Sequence, residues 1–194
     1  MTDVQRLDLG HFTRPATETG GAPRIESINA YLVRHANGVL LFDTGMGSHP
    51  EVDAHYQPVR RPLDLAPSEV DIVVNCHLHF DHCGANPRFA GTPIFVQRAE
   101  LELAHGVDYT LPELVDFTSA AYEVLDGEAE IWPGVWVIAT PGHTPGHQSL
   151  AVRRSDGTVV LAGHDDGFRP PSARILALDP KRILFAHDNS VWEP

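Results

Sequence analysis

Four short apolar runs in this 194-residue chain each lead into a histidine or an acidic residue. Residues 71–75 lead into Cys76-His77-Leu78-His79-Phe80-Asp81-His82-Cys83-Gly84, and 135–139 into Thr140-Pro141-Gly142-His143-Thr144-Pro145-Gly146-His147. Residues 158–162 lead into Gly163-His164-Asp165-Asp166, and 182–185 into Ala186-His187-Asp188. Apolar runs this short read as strands. Strand ends converge at one edge of a sheet, so side chains far apart in sequence can meet there. The recurrence therefore predicts a sheet-based fold with a polar site along one edge.

Other elements fill in around these four. Residues 27–34 read as a strand, with 38–42 as its hairpin partner across His35-Ala36-Asn37-Gly38. Residues 93–96 read as a strand and 98–105 as a helix. Residues 149–152 read as a strand paired with 158–162 across Ser155-Asp156-Gly157. The stretch 47–67 has weak periodicity and several prolines, and reads as loop with some helix. The 16 glycines and 16 prolines are spread out and cut the chain into many short elements. Strands mixed with a few helices indicate an α/β or α+β layered fold. No repeat, low-complexity tract or linker divides the chain, so a single domain over 1–194 is expected.

Composition narrows the function. With 42% hydrophobic and 21% charged residues the chain is globular. No apolar run is long enough for a membrane helix. The opening MTDVQRLDLGHF carries charge where a signal peptide is apolar, so a cytoplasmic protein is expected. The net charge of −12 disfavours nucleic acid as a partner and suits a small neutral substrate. The two cysteines, Cys76 and Cys83, are expected to be free thiols. Cys76 is expected to face the core and Cys83 to be a small residue near the site.

The 12 histidines carry the chemistry. His77, His79, Asp81 and His82 fall within six residues, and imidazole with carboxylate suits zinc, iron, nickel or manganese. His77 and His79 can point to one side of an extended turn while Asp81 and His82 face a second point. That spacing suits two adjacent metals better than one tetrahedral ion. Leu78 and Phe80 would anchor the loop in the core. A solvated histidine-rich loop is the alternative, and one histidine alone would favour it. In the second cluster, two prolines and two glycines fix a tight loop that aims its histidines.

His77-Leu78-His79-Phe80-Asp81-His82 resembles the HxHxDH signature of the metallo-β-lactamase superfamily. The resemblance extends from Leu40-Leu41-Phe42-Asp43-Thr44-Gly45 to Ala186-His187-Asp188. Within that superfamily the chain is most similar to the N-acyl homoserine lactonases. The similarity is carried by the HxHxDH loop, Val96-Gln97-Arg98-Ala99-Glu100, residues 140–150 and Leu184-Phe185-Ala186-His187-Asp188. The resemblance implies a four-layer αββα sandwich, an α+β fold, with two divalent ions. Zinc is the first choice; manganese, iron, cobalt or nickel are alternatives. It implies one ion on His77, His79 and His143, a second on Asp81, His82 and His187, and Asp165 bridging them. Asp43 would support the site from behind, and His147 would be structural or supporting. The implied reaction is attack of a hydroxide, shared by the two ions, on a lactone or related ester, with Asp81 passing the proton to the leaving oxygen. The family often dimerises, so a homodimer is one implied assembly.

Two departures from the family pattern matter. Gly163-His164-Asp165-Asp166 offers three candidates for the bridge, and His164 there would imply an altered or single-metal site. Phe168 stands where the lactonases usually have a tyrosine that polarises the substrate carbonyl. The chain is also shorter than typical lactonases, within 47–67 and after Asp166. Two other readings follow. One is another ester or thioester hydrolase, glyoxalase-II-like, whose anionic substrates would call for basic residues such as Arg60, Arg61 or Arg169. The other is a metal-binding protein without activity.

Overall fold

The computed structural model describes residues 2–164 and 171–193. Among these residues the chain forms two sheets. The first contains β1 (Asp3–Arg14), β2 (Arg24–His35), β3 (Gly38–Phe42), β4 (Val59–Arg60), β5 (Ile72–Val74), β6 (Pro93–Gln97) and β7 (Ala121–Leu125). Their spatial order is β4-β1-β2-β3-β5-β6-β7. The second contains β8 (Ala129–Trp132), β9 (Val135–Ala139), β10 (Gln148–Arg154), β11 (Gly157–Gly163), β12 (Pro180–Phe185) and β13 (Val191–Trp192), ordered β13-β12-β11-β10-β9-β8. The helices are short: α1 (Ala16–Thr19), α2 (Pro50–Tyr56), α3 (Arg98–Ala104) and α4 (Ala173–Leu176). None of the described helices is long and apolar enough to cross a membrane.

Period-two alternation builds the layers, because successive strand residues point to opposite faces. Leu40 and Phe42 of β3, with Ile72 and Val74 of β5, face the second sheet and meet Val135, Val137, Leu150, Val152, Val159 and Leu161. Leu41 and Val73 point the other way and pack with Leu78, Ile94, Val96 and Ala104. On the outer face of the second sheet, Val160, Ala162 and Ile183 pack against Ile175 of α4. The result is the αββα sandwich, with two substantial sheets and thin helical layers outside them.

The pairing brings the strand ends together. β3, β5 and β6 run parallel, so Asp43 and the loop after β5 leave the same edge. In the second sheet β11 and β12 are parallel, which sends His164 and His187 out side by side. The sequence reading expected convergence at one sheet's edge; the structure uses the adjoining edges of two stacked sheets. Asn29 N donates to Ala186 O at 2.9 Å, and the Tyr31 hydroxyl donates to Phe185 O at 2.8 Å, fastening β2 to the end of β12. β1 is a further correction, since the opening residues form a 12-residue strand that the sequence reading passed over.

Candidate metal centre

The loop after β5 folds back on itself, with His82 N donating to His79 O at 2.9 Å and Cys83 N to the same oxygen at 3.2 Å. The β3 loop is laced to it by Thr44 N to His82 O at 2.8 Å, Gly47 N to Phe80 O at 2.7 Å and Gly84 N to Gly45 O at 2.7 Å. Gly84 is required for this contact, because a Cβ there would lie 1.9 Å from Gly47 N.

Two triangles of donor atoms result. In the first, His79 Nδ1 lies 3.0 Å from His77 Nε2 and 3.2 Å from His143 Nε2. A single proton on that nitrogen cannot serve both neighbours. In the second, His82 Nε2 lies 3.1 Å from His187 Nε2. Asp81 Oδ2 completes it at 3.5 Å from His82 Nε2 and 3.3 Å from His187 Nε2. His187 Nδ1 donates to Ser27 O at 2.8 Å, and His82 Nδ1 donates to Asp43 Oδ2 at 3.0 Å. When neutral, each imidazole therefore presents its Nε2 lone pair to the other. Lone pairs facing at this distance repel unless positive charge lies between them. Nitrogen–zinc bonds of about 2.0–2.1 Å imply about 3.3 Å between donors of a tetrahedral site, close to these spacings. The first set could hold a metal ion by donor type and geometry, and the spacings of the second are of the same size.

Charge and burial reinforce this. Burial pushes His77 well below the usual imidazole range, and the surrounding imidazoles push it further. Burial takes His79 down to about 4, against the pull of Asp81. For Asp81, burial alone would raise the carboxyl, but His82 and His187 hold it well below its ordinary value. His82 goes the other way: burial opposes its proton, but the carboxylates of Asp81 and Asp43 raise its affinity for positive charge. Neutral His77 and His79 and an ionised Asp81 are in the states that metal binding requires.

Behind the donors, Asp43 sits at φ +62° and accepts from Cys76 N at 2.8 Å and from the Cys76 thiol at 3.1 Å. The Cys76 thiol also lies 3.1 Å from His77 Nδ1 and 3.2 Å from His82 Nδ1. Cys76 is thus buried, as expected, but its sulfur serves the histidines as well as the core. Cys83 is buried too, and both thiols are free. His147 bonds Thr140 through Nδ1, at 2.9 Å to its hydroxyl, and accepts from His164 N at 3.1 Å, a structural place. The His164 ring stacks on that of His143, with centroids 3.7 Å apart. Asp165, Asp166, Phe168 and Arg169 lie outside the described residues. Leu78 is fully buried in the core, as expected, and half-buried Phe80 packs against the same core while also lining a cleft.

That cleft, of about 280 Å³, opens over His79, Asp81, His143 and His164. Its walls include Phe12, Tyr56, Phe80 and Tyr109, with Arg14, Glu18 and Asp108. A hollow of about 240 Å³ on the outer face of the second sheet, around Trp136 and Arg174, is lined by no histidine, and its carboxylate, Glu128, is paired with Arg174. Sequence reasoning gave no role to Glu100, a buried carboxylate bonded to both histidine loops. Besides its place in the Val96-Gln97-Arg98-Ala99-Glu100 segment, the signal for it is helical spacing, which sets Glu100 on the side of Ala104 while Glu102 faces water.

Residues 23–192 match the metallo-beta-lactamase superfamily. The chain is 32% identical over 186 residues to an N-acyl homoserine lactonase of a Bacillus species, covering 84% of this chain and 73% of that one. It is 33% identical to the N-acyl homoserine lactonase AiiA of Bacillus thuringiensis subsp. kurstaki, covering 80% and 70%. Among solved structures, a quorum-quenching N-acyl homoserine lactone lactonase superposes with a TM-score of 0.78 at 25% identity, covering 96% of this chain and 92% of that one. An N-acyl homoserine lactone hydrolase with the product N-hexanoyl-L-homoserine at its catalytic metal center superposes at 0.77, with 25% identity and 96% and 93% coverage.

Proposed function

The chain belongs to the metallo-β-lactamase superfamily, and from that premise we propose that it is a metal-dependent hydrolase that opens N-acyl homoserine lactones. In this reading His77, His79 and His143 hold one divalent ion, and Asp81, His82 and His187 hold a second. Asp165 is taken as the bridging carboxylate on sequence register alone. Zinc suits a donor set this rich in imidazole. The observation that carries the reading is the pair of donor triangles, with spacings of 3.0–3.5 Å, at the floor of a cleft. Opening such a lactone would be quorum quenching, the term applied to the lactonase that superposes on this chain.

Divalent ions in such a site polarise a carbonyl oxygen and make water nucleophilic near neutral pH. The chain's own groups do the rest. Asp81, held ionised by His82 and His187, accepts a proton from the attacking water. It returns that proton to the ring oxygen as the C–O bond breaks, so the lactone leaves as a hydroxy acid. Phe12, Tyr56 and Phe80 offer an apolar wall to an acyl chain.

The cleft's charges favour a neutral substrate over an anionic thioester. Arg14 lines the cleft, but its guanidinium is paired with the buried Glu26 at 3.0 Å, while Glu18, Asp81 and Asp108 add negative charge. Arg60 and Arg61 line a different hollow and are engaged by Asp53 and Asp8.

The test is elemental analysis of the purified protein with a pH-indicator assay on acyl homoserine lactones and thioesters. The expected result is two ions per chain and lactone opening that a chelator abolishes and added zinc restores. Undiminished turnover after full demetallation, or turnover of thioesters with none of lactones, would overturn the reading.

A further inference from the structure

We propose that Glu100 is the positioning residue that sets the His77/His79/His143 triangle by tying the two histidine loops to one carboxylate. The proposal rests on the metal-dependent reading above. Glu100 lies in the first turn of α3 and is 1% exposed. Its Oε1 accepts from Leu78 N at 2.8 Å, the backbone amide between His77 and His79. Its Oε2 accepts from the Thr144 hydroxyl at 2.6 Å, on the residue that follows His143. The Tyr109 hydroxyl also donates to Oε1, and the Tyr109 ring lies 4.6 Å from that of His79. One side chain thus touches a neighbour of every member of the triangle.

The packing leaves little room for another arrangement. A Cβ on Gly146 would lie 2.2 Å from Glu100 N and 2.5 Å from its Cα, so the second loop rests directly on the backbone of α3. A buried carboxylate is costly unless its oxygens are hydrogen-bonded, and these bonds come from the two histidine loops and the tyrosine beside His79. A core anchor needs no such charge. A group that fixes three imidazoles drawn from two loops needs two acceptor oxygens at a set separation. Glutamine supplies one acceptor and one donor, so it can keep the Leu78 bond but not accept from Thr144 as well.

The experiment compares wild type with Glu100→Gln and Thr144→Val. Metal content is measured by elemental analysis and affinity by competition with a chromophoric chelator, on protein shown to be folded by circular dichroism. Thr144→Val leaves the carboxylate and its Leu78 bond in place, so it reports even if Glu100→Gln folds poorly. We expect one of the two ions to bind about 10–100-fold more weakly in Glu100→Gln, the range for groups that orient metal ligands. Thr144→Val should weaken the same ion by less, the other ion should keep its affinity, and excess zinc should restore most of the lost turnover. Folded variants that bind both ions as tightly as wild type, with only a lower melting temperature, would overturn the proposal. Wild-type protein that binds no metal would overturn the reading beneath it, and that result is visible before any variant is made.

Discussion

The two donor triangles are neighbours, with the His77 and His82 rings 4.1 Å apart, yet the protein treats them differently. The first is all imidazole, and burial drives His77 and His79 away from their protons. The second includes Asp81 and is backed by Asp43, and there His82 is drawn toward positive charge despite full burial. Burial is alike at His77 and His82; the carboxylates differ. The lesson is that desolvation makes His77 and His79 neutral donors, while placed carboxylates decide where positive charge is favoured. With an anionic donor in Asp81 and a second carboxylate behind His82, the second triangle should bind the tighter of two ions.

Four substitutions probe that contrast, from the largest expected effect to the smallest. His187→Ala removes a corner of the charged triangle, so metal content should drop by one ion per chain and turnover should fall to background. Loss of turnover with both ions retained would break the assignment. Asp43→Asn removes the charge behind His82 while keeping a residue that tolerates a positive φ. It should weaken the tighter ion about 10–100-fold and leave the weaker one unchanged, as read by chelator competition. If both ions weaken equally, the two triangles act as one unit. Gly84→Ala forces a Cβ against Gly47 N and should cost about 1–3 kcal/mol of stability, seen in denaturant melts. Cys76→Ala deletes the buried thiol bond to Asp43 but leaves the backbone donor Cys76 N. It should cost about 1 kcal/mol, with activity within a few-fold of wild type.

Some elements could be read directly from the residues. β9 was legible end to end, because Val135 and Val137 alternate with Trp136, which is 41% exposed. The β2–β3 hairpin was legible from its turn. β1 was not, because its register shifts between Asp8 and His11 and breaks the period of two on which a sequence reading depends. β7, at the edge of its sheet, has no fully buried residue and so sends no strong apolar signal. At the site, the histidines announced themselves by density in the loop after β5 and by the repeated strand-then-ligand layout. Glu100 and the Cys76 thiol did not, since their partners come from other elements or depend on how a loop folds back.

The chain's covalent order settled which donor atoms are available and that each sits just past an apolar strand. Only the folded molecule decided that those strands belong to two sheets, and which nitrogen of each imidazole faces inward. The physical reason is distance along the chain. The tautomer of His187 is fixed by the carbonyl of Ser27, 160 residues away, and no local pattern can encode a hydrogen bond that exists only after the sheets have stacked.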